Sequence, residues 1–550
     1  MYDALNYSQN TYYGTARTIA LGNAVTAVGG DLGTIGINPA GSAVAGYNQF
    51  TITPGISISA VGSTYSPEGE WNYNSQTSMN HKRFTMPNIG MSMVFDTGRE
   101  SGLKSMTFAF VSNQTNNFNN YANAFGTNGN SSKFAELATA ACGIEEEYLN
   151  KYSSFDMTDI PWDVLVAYQG GLMGSYGQGA NYVGNTEVLV DADPAYHYVP
   201  GDLVQNSFVT KSGSKNDIVL NMGANISDVL FLGANIGLPT INYRYSENFT
   251  ESPVEMEKFP VAFEKGDTYF RSGLYAYDYA ASVTGIYAKI GAIYRPTDHI
   301  RIGAAIQSPT SFVIDESWEE YGRSTFADSF FDDDGMSSPT GEYSYGLRSP
   351  YVINAGVAFT LGTFALISAD YEMADYSIMK FRETGKEYVD DYYYSEFYEI
   401  NEVNKLFCGV SHQFRAGAEV KLTPAFALRA GYNFGTSPER YWIDNSGRNV
   451  TADDYLGDFN YYHGLGGTLV QSEYYKDYTS SYALGFGYSS PGSFFADFSA
   501  RMTKYADSIF APYYDYDGYD ANGTLMEKVA PRILNERKLF DFALTFGWRF

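Results

Sequence analysis

Residues 539–550 read Leu-Phe-Asp-Phe-Ala-Leu-Thr-Phe-Gly-Trp-Arg-Phe. From Phe540 every second position is apolar: Phe540, Phe542, Leu544, Phe546, Trp548 and Phe550. Between them stand Asp541, Ala543, Thr545, Gly547 and Arg549. Successive side chains of a strand point to opposite faces, so this alternation gives one oily, aromatic face and one small or charged face.

The pattern recurs thirteen times upstream. The sets begin at Phe50, Ile89, Met106, Ile218, Leu230, Ile286, Ile300, Tyr351, Ala365, Val410, Phe426, Tyr482 and Phe494. Each spans about ten residues, the length a tilted strand needs to cross a bilayer. The opposite faces carry Gly, Ser, Asn and charges, among them Arg301, Arg415, Glu419, Arg429, Asp497, Arg501, Asp541 and Arg549. A soluble sandwich would also alternate, so the connections decide. They run short, then long. Short ones lie near Gly98, Ser227-Asp228, Pro296–Asp298, Gly362-Thr363, Thr423-Pro424 and Ser490–Gly492. Long ones cover roughly 61–87, 113–215, 245–281, 315–349, 381–408, 437–479 and 506–536. Short turns at one end and long loops at the other are the habit of outer-membrane barrels, and such loops are uncommon in compact soluble domains. A fifteenth strand near Leu203–Lys211 would break the alternation and give an odd total, so that piece is assigned to the third long connection. The expected fold is all-β: a 14-stranded antiparallel transmembrane β-barrel with long extracellular loops that carry short helices.

Composition agrees. The 550 residues include 49 Tyr, 55 Gly and 37 Phe, which favour strands and turns. No apolar run approaches the roughly 18 residues of a membrane helix. A formal net charge of −27 argues against nucleic-acid or anionic-lipid binding. Cys142 and Cys408 are too few for a disulfide framework; free thiols are expected, although one pair could form in an oxidising compartment. The opening MYDALNYSQN has no basic stretch followed by an apolar core. The protein is read as a bacterial outer-membrane protein whose signal peptide is missing from this sequence.

Residues 1–49 do not alternate. They are rich in Gly, Ala and Thr, yet Ile19, Leu21, Val25, Val28, Leu32, Ile35 and Ile37 are too apolar for a flexible linker. A fourteen-strand barrel is wider than side chains can fill. The expected division is therefore a plug (hatch) over 1–49, inside the lumen, and a barrel over 50–550.

The run Gly30-Asp31-Leu32-Gly33-Thr34-Ile35-Gly36-Ile37-Asn38-Pro39-Ala40-Gly41-Ser42-Ala43 resembles the N-terminal hatch of the FadL/TodX family, outer-membrane channels for long-chain fatty acids and hydrocarbons. GIYAKIGAIYRPTDHIRIGAAIQSP and FRAGAEVKLTPAFALRAGYNFGTSP also look like the family. The resemblance implies that Asn38, Pro39 and Ala40 are hatch residues. It implies capture of an apolar ligand by the loops, passage to a pocket in the barrel, and a change in the hatch. Release is then lateral, through a gap at a kink in the third strand, or to the periplasm. The third strand, about Lys104–Ser112, contains neither Gly nor Pro, and the kink is not placed by the sequence.

Candidate ligand contacts fall in two groups. Phe134, Leu137, Ala141, Ile144 and Tyr148 form a helix-like stripe in the third long connection. A second helix start follows at Asp159–Pro161, ahead of Trp162 and Leu165. Phe134, Leu137, Ile144, Trp162 and Leu165 would line an apolar mouth; the alternative is a loop packed on itself. The lumen arginines could hold a carboxylate by bidentate bonds, Arg415 and Arg429 being best placed. The alternative, a wall network with Glu419 and Asp497, is preferred.

The acidic runs Asp332–Gly335 and Asp515–Asp520 do not match EF-hand spacing and are read as solvated loops. The five His are scattered, and no metal site, cofactor or catalytic motif is expected. The protein is read as a passive channel for hydrophobic small molecules, with long-chain fatty acids as the default substrate, and not as an enzyme. The expected partners are outer-membrane lipid and a hydrophobic ligand (fatty acid or detergent), with no nucleic acid; oligomeric state is not read, a monomer being favoured. The rival readings are a general porin, haem or porphyrin uptake, and a non-transport surface scaffold or adhesin.

Overall fold

A computed structural model describes residues 2–67, 75–157, 159–177, 179–384, 396–445, 449–450, 452–457, 467–471 and 478–550. Fourteen wall strands appear where the alternation places them. They are β1 Gln49–Ser66, β2 Ser75–Asp96, β3 Leu103–Asn117, β4 Leu203–Ile226, β5 Leu230–Pro253, β6 Gly266–Tyr294 and β7 Ile300–Gln307. They continue as β8 Val352–Leu361, β9 Ala365–Asp375, β10 Val410–Lys421, β11 Phe426–Thr436, β12 Tyr478–Ser489, β13 Phe494–Lys504 and β14 Arg532–Arg549. Each pairs antiparallel with the next. β14 pairs with β1 from Gln49↔Arg549 to Ser66↔Arg532, so the sheet closes. Closure satisfies the backbone without an edge, which a bilayer demands.

The polarity is inverted relative to a water-soluble core. On β6, Ile286 and Ile290 are 54% and 61% exposed, whereas Lys289 is 1% exposed. On β12, Leu484 is 67% exposed and its neighbour Ala483 is buried. The apolar alternates of every wall strand thus form an outward belt, and Asn221, Asn235, Asn354, Asp370 and Arg501 are buried inside. Such a belt is stable only against lipid. Among the described residues no helix is long and apolar enough to cross a membrane.

The wall rises higher than the sequence suggests. β4, β5 and β6 have 24, 24 and 29 residues, against about ten needed to cross. The Leu203–Lys211 piece, assigned above to a loop, is the outer half of β4 and pairs with Pro253 to Tyr245. The count stays at fourteen because this piece is collinear with Ile218–Ile226. Parts of the expected loops 61–87, 245–281, 315–349 and 506–536 are likewise strand, including an outer continuation of β7 at Ser311–Phe326 that pairs with β6. The reason is that these segments keep a two-residue burial rhythm on a mixed polar and aliphatic inner face, Leu203, Gln205, Ser207 and Val209, after the lipid-facing signal has ended.

Candidate functional site

Four levels can be followed inward along the wall: an extracellular cap, an apolar chamber, a charged layer and a stopper. The cap is built on α3 Lys133–Ala141 and α4 Trp162–Gln169. Ser132 caps α3, accepting from the amides of Phe134 and Ala135. Phe134, Leu137 and Leu165 are buried in one apolar cluster with Phe259, Phe270 and Phe326, and Ile144 and Trp162 pack against its side. The five loop candidates therefore come together. Trp162 donates its indole N–H to Phe155 O at 3.0 Å.

Buried acids sit beneath this cap. Glu251 accepts from Ser132 Oγ (2.6 Å), the Lys133 amide (3.1 Å) and Gln205 Nε2 (2.6 Å). Burial pushes Glu251, Glu136 and Glu320 up to about 7, with Asp163 adding to the rise at the last two. His197 is buried, which alone would lower it, but the Glu187 carboxylate 2.8 Å away holds it above its ordinary value.

Below lies an apolar chamber lined by Ile241, Tyr243, Val283, Ile314, Leu347 and Tyr376. It is occupied by α1, Tyr2–Ser8, whose Ala4, Leu5 and Tyr7 are buried there. Tyr7 Oη is 3.2 Å from Tyr279 Oη, and Lys215 Nζ donates to Tyr7 O at 2.8 Å. The space left beside Lys215 and Tyr287 is about 10 Å³, room for a single water. The sequence reading missed α1 as an occupant, because seven residues are too few to show a helical stripe.

The charged layer follows. On β9, Ala374 lines the chamber, Glu372 bonds Arg415 Nη2 at 2.9 Å, and Asp370 accepts from the Thr26 amide at 2.7 Å. These inward positions descend by about 7 Å per two residues. Arg415 also bonds Gln413 at 2.8 Å, and its guanidinium lies 5.0 Å from the Tyr12 ring centre. Its Nε and Nη1 have no acceptor among the described residues. Arg429 is fully engaged by comparison: Nε bonds Glu419 at 2.7 Å and Nη1 bonds Asp497 at 2.5 Å. The two arginines are thus not together, and both take part in wall ion pairs. Arg501 pairs with Asp541 at 2.9 Å.

The stopper is the segment before β1. Thr15 caps α2, Ala16–Ala20, and its hydroxyl donates to Asp31 at 2.7 Å. Asn38 caps the turn Pro39–Val44 through the Ala40 amide, and donates to Thr26 O (2.7 Å) and to Ala292 O of β6 (3.1 Å). Pro39 O accepts from Asn221 of β4 at 3.0 Å. The Asn38-Pro39-Ala40 run is therefore both a turn and a clamp between two wall strands. Glycines on the inner wall allow this approach. A Cβ at Gly233, Gly291, Gly303 or Gly431 would run into the backbone or side chains of Pro39, Asn38, Thr26 or Gly22. Gly22 itself has φ +63° and lies against the Tyr432 backbone.

The wall is interrupted beside β2. β2 and β3 pair from Asp96↔Ser105 only as far as Asn88↔Asn113. Pro87 has no N–H to extend the ladder, and the β1–β2 register shifts beside it. β3 then turns inward, where Gln114 O and Thr115 O accept from the Tyr13 and Thr11 amides. The chain resumes at Asn120–Asn128, paired with β4, with Ala124 packed on Tyr65 and Ile533 inside the barrel. Among the described residues the hydrogen bonds across the gap involve side chains of β2, such as Arg83 Nη1 to Asn119 Oδ1 at 3.0 Å and the Thr77 hydroxyl to Asn123 O. Phe84 and Met86, exposed at its rim, place it at the outer edge of the lipid-facing belt. Asparagine is a poor strand former, and the run Asn113-Gln114-Thr115-Asn116-Asn117-Phe118-Asn119-Asn120 was the signal available for this break.

The acidic loops behave as turns. Asp333 and Asp520 accept amides of their own loops, and among the described residues no group of three His, Cys, Asp or Glu could hold a metal ion. Both cysteines are free.

No protein-family model and no curated protein matches the chain. Among solved structures, the chain is similar to a FadL homologue of Pseudomonas aeruginosa, with 10% identity and a TM-score of 0.47 over 98% of this chain and 99% of that one. It is also similar to the toluene transporter TodX of Pseudomonas putida (10%, TM-score 0.43, 99% and 100% covered) and to the toluene transporter TbuX of Ralstonia pickettii (11%, 0.41, 99% and 100%). At these scores the likeness adds no weight of its own. What the chain itself shows is a closed, fourteen-stranded antiparallel barrel of the outer-membrane type, filled at one level by the segment that precedes its first strand.

Proposed function

We propose that this protein is a passive outer-membrane channel for hydrophobic small molecules, with long-chain fatty acids as substrate. The observation that carries this reading is the apolar chamber inside the barrel, set between the apolar cap and the charged layer. Water-filled pores have no use for Ile241, Val283 and Leu347 facing inward. An apolar solute gains about 25 cal/mol per Å² on leaving water for such a lining.

On this reading the cap collects the ligand, and Phe134, Leu137, Ile144, Trp162 and Leu165 form its first apolar contact. The ligand enters the chamber as α1 leaves it. Arg415 is the better head-group residue than Arg429, because two of its guanidinium nitrogens are uncommitted at the chamber floor. Rearrangement of the hatch, residues 1–49, then connects the chamber with the gap beside β2 or with the periplasm. No cofactor and no energy source takes part.

The test is uptake by cells carrying the protein in an outer membrane otherwise lacking such channels. Labelled oleate should enter faster with the protein than without it. Leu5→Ala with Tyr7→Ala, which shrinks the occupant of the chamber, should raise binding of oleate to the purified protein. Steady ionic current with no gain in oleate uptake would point to a porin instead.

A further inference from the structure

An open cavity lies at the short-turn end of the barrel, bounded by α2, the Thr423–Ala425 turn and the inner faces of β10 to β14. Its volume is about 290 Å³, roughly ten times the share of one water in the liquid. Its inner end is electrically balanced. Arg17 and Arg429 share Glu419, and Arg429 also bonds Asp497.

The mouth is not balanced. Lys421 is exposed and has no carboxylate within ion-pairing distance among the described residues. Arg549 lies between two rings, 5.1 Å from the centre of Tyr47 and 4.5 Å from that of Phe495. Among the described residues its guanidinium makes one hydrogen bond, to Ser489 Oγ, long at 3.5 Å, and its Nε has no acceptor. The remaining acid, Asp31, is turned to the stopper, where it takes the Thr15 hydroxyl and the Gly33 amide. The lining holds four cations, Arg17, Lys421, Arg429 and Arg549, and three anions, Asp31, Glu419 and Asp497. A chain of net charge −27 thus keeps a local positive excess here, set against aromatic walls. Two cations without a carboxylate partner suit a single negative head group, and the rings of Tyr47, Phe426, Tyr488 and Phe495 line the same space for the first carbons behind it.

We infer that this vestibule is an exit site for a carboxylate-bearing amphiphile, held head-first by Lys421 and Arg549 after it has passed the stopper. The inference rests on the channel reading above and adds to it a second site for the acid's head group. It also makes the periplasm, rather than the gap beside β2, the last stop for the head group. Arg549 is preorganised by its two rings, so its charge is held in place without a carboxylate partner.

The test uses the purified full-length protein in a neutral detergent, with dodecanoate and its methyl ester as probes, titrated calorimetrically. Dodecanoate should bind in two classes and the ester in one. Lys421→Gln with Arg549→Gln should weaken one dodecanoate class tenfold or more and leave the ester unchanged. Lys421→Gln alone, at an exposed position that cannot upset folding, should weaken the same class several-fold. Inorganic phosphate that abolishes this class would overturn the carboxylate assignment and mark a phosphate socket. Unchanged dodecanoate binding in both variants would overturn the vestibule site while leaving the channel reading intact. Failure of both probes to bind the unaltered protein would sink the channel reading and the vestibule with it.

Discussion

Arg17 of the stopper and Glu419 of β10 meet at 2.8 Å, and Glu419 receives Arg429 at 2.7 Å on its other side. One carboxylate therefore ties the segment before β1 to the wall. Glu419→Gln takes the anion from Arg17 and leaves Arg429 with Asp497 alone. Breaking such a pair costs about 3 kcal/mol. The stopper should loosen, and single channels in planar bilayers should show longer open times than the unaltered protein. A trace indistinguishable from it would mean the pair does not restrain the stopper.

The glycines of the inner wall predict a graded response. Gly233→Val places two methyl groups against Pro39 and Ala40, and Gly431→Val does the same against Leu21 and Gly22. Overpacking of this kind costs about 1–3 kcal/mol. Trypsin should then cut at Arg17, which in the unaltered protein is paired with Glu419 inside the barrel. Gly346→Ala, where the nearest neighbour would be 3.5 Å away, should leave the digestion pattern unchanged.

Much of this was legible in advance, and the limits have physical causes. All fourteen lipid-facing runs, from Phe50 to Phe550, were readable because a bilayer imposes a strict two-residue period. The outer halves of the strands were not, because above the membrane the outward face turns polar while Leu203, Gln205 and Ser207 remain buried. The pairing of Arg429 with Glu419 and Asp497 followed from all three sharing the inward face. Its extension to Arg17 did not, since nothing in a Gly-rich stretch sets the direction of one side chain. The break in β3 was sought as a Gly or Pro in that strand. It lies instead where Pro87 of β2 faces the asparagine run.

That break can be probed at Asn117. Its Nδ2 donates to Ser57 Oγ at 2.9 Å and its Oδ1 accepts the Asn119 amide at 3.1 Å. Asn117→Ala removes both bonds at a buried site, a loss of about 1–3 kcal/mol. Oleate uptake should fall if release is lateral, while oleate binding to the purified protein should persist. Uptake at the full rate would remove the gap from the route.

The cap carries a pH dependence whose sign follows from its groups. Glu136, Glu251 and Glu320 titrate near 7 in the folded cap, against about 4.3 when unfolded. The unfolded form loses its protons first, so cap stability falls as pH rises through this window and levels off above it. His197 acts in the same sense: its raised value means the pair with Glu187 is fully present below about 6.5 and is lost as pH climbs past it. Lys133 opposes the effect at Glu136 and Glu320, and Asp163 strengthens it. Amide exchange in α3 and α4 should accelerate from pH 5 to pH 8 by more than the chemical rate does. Glu251→Gln should flatten part of that rise.

The Ala16 amide donates to Thr545 Oγ1 of β14 at 2.7 Å, so the early stopper is tied to the strand that completes the ring. Contacts spanning more than five hundred residues are slow to form. The stopper must therefore wait, still unhoused, through the assembly of thirteen strands. A lesion that delays the joining of β14 to β1 would leave it exposed to proteases throughout that interval, whatever the stability of the finished molecule.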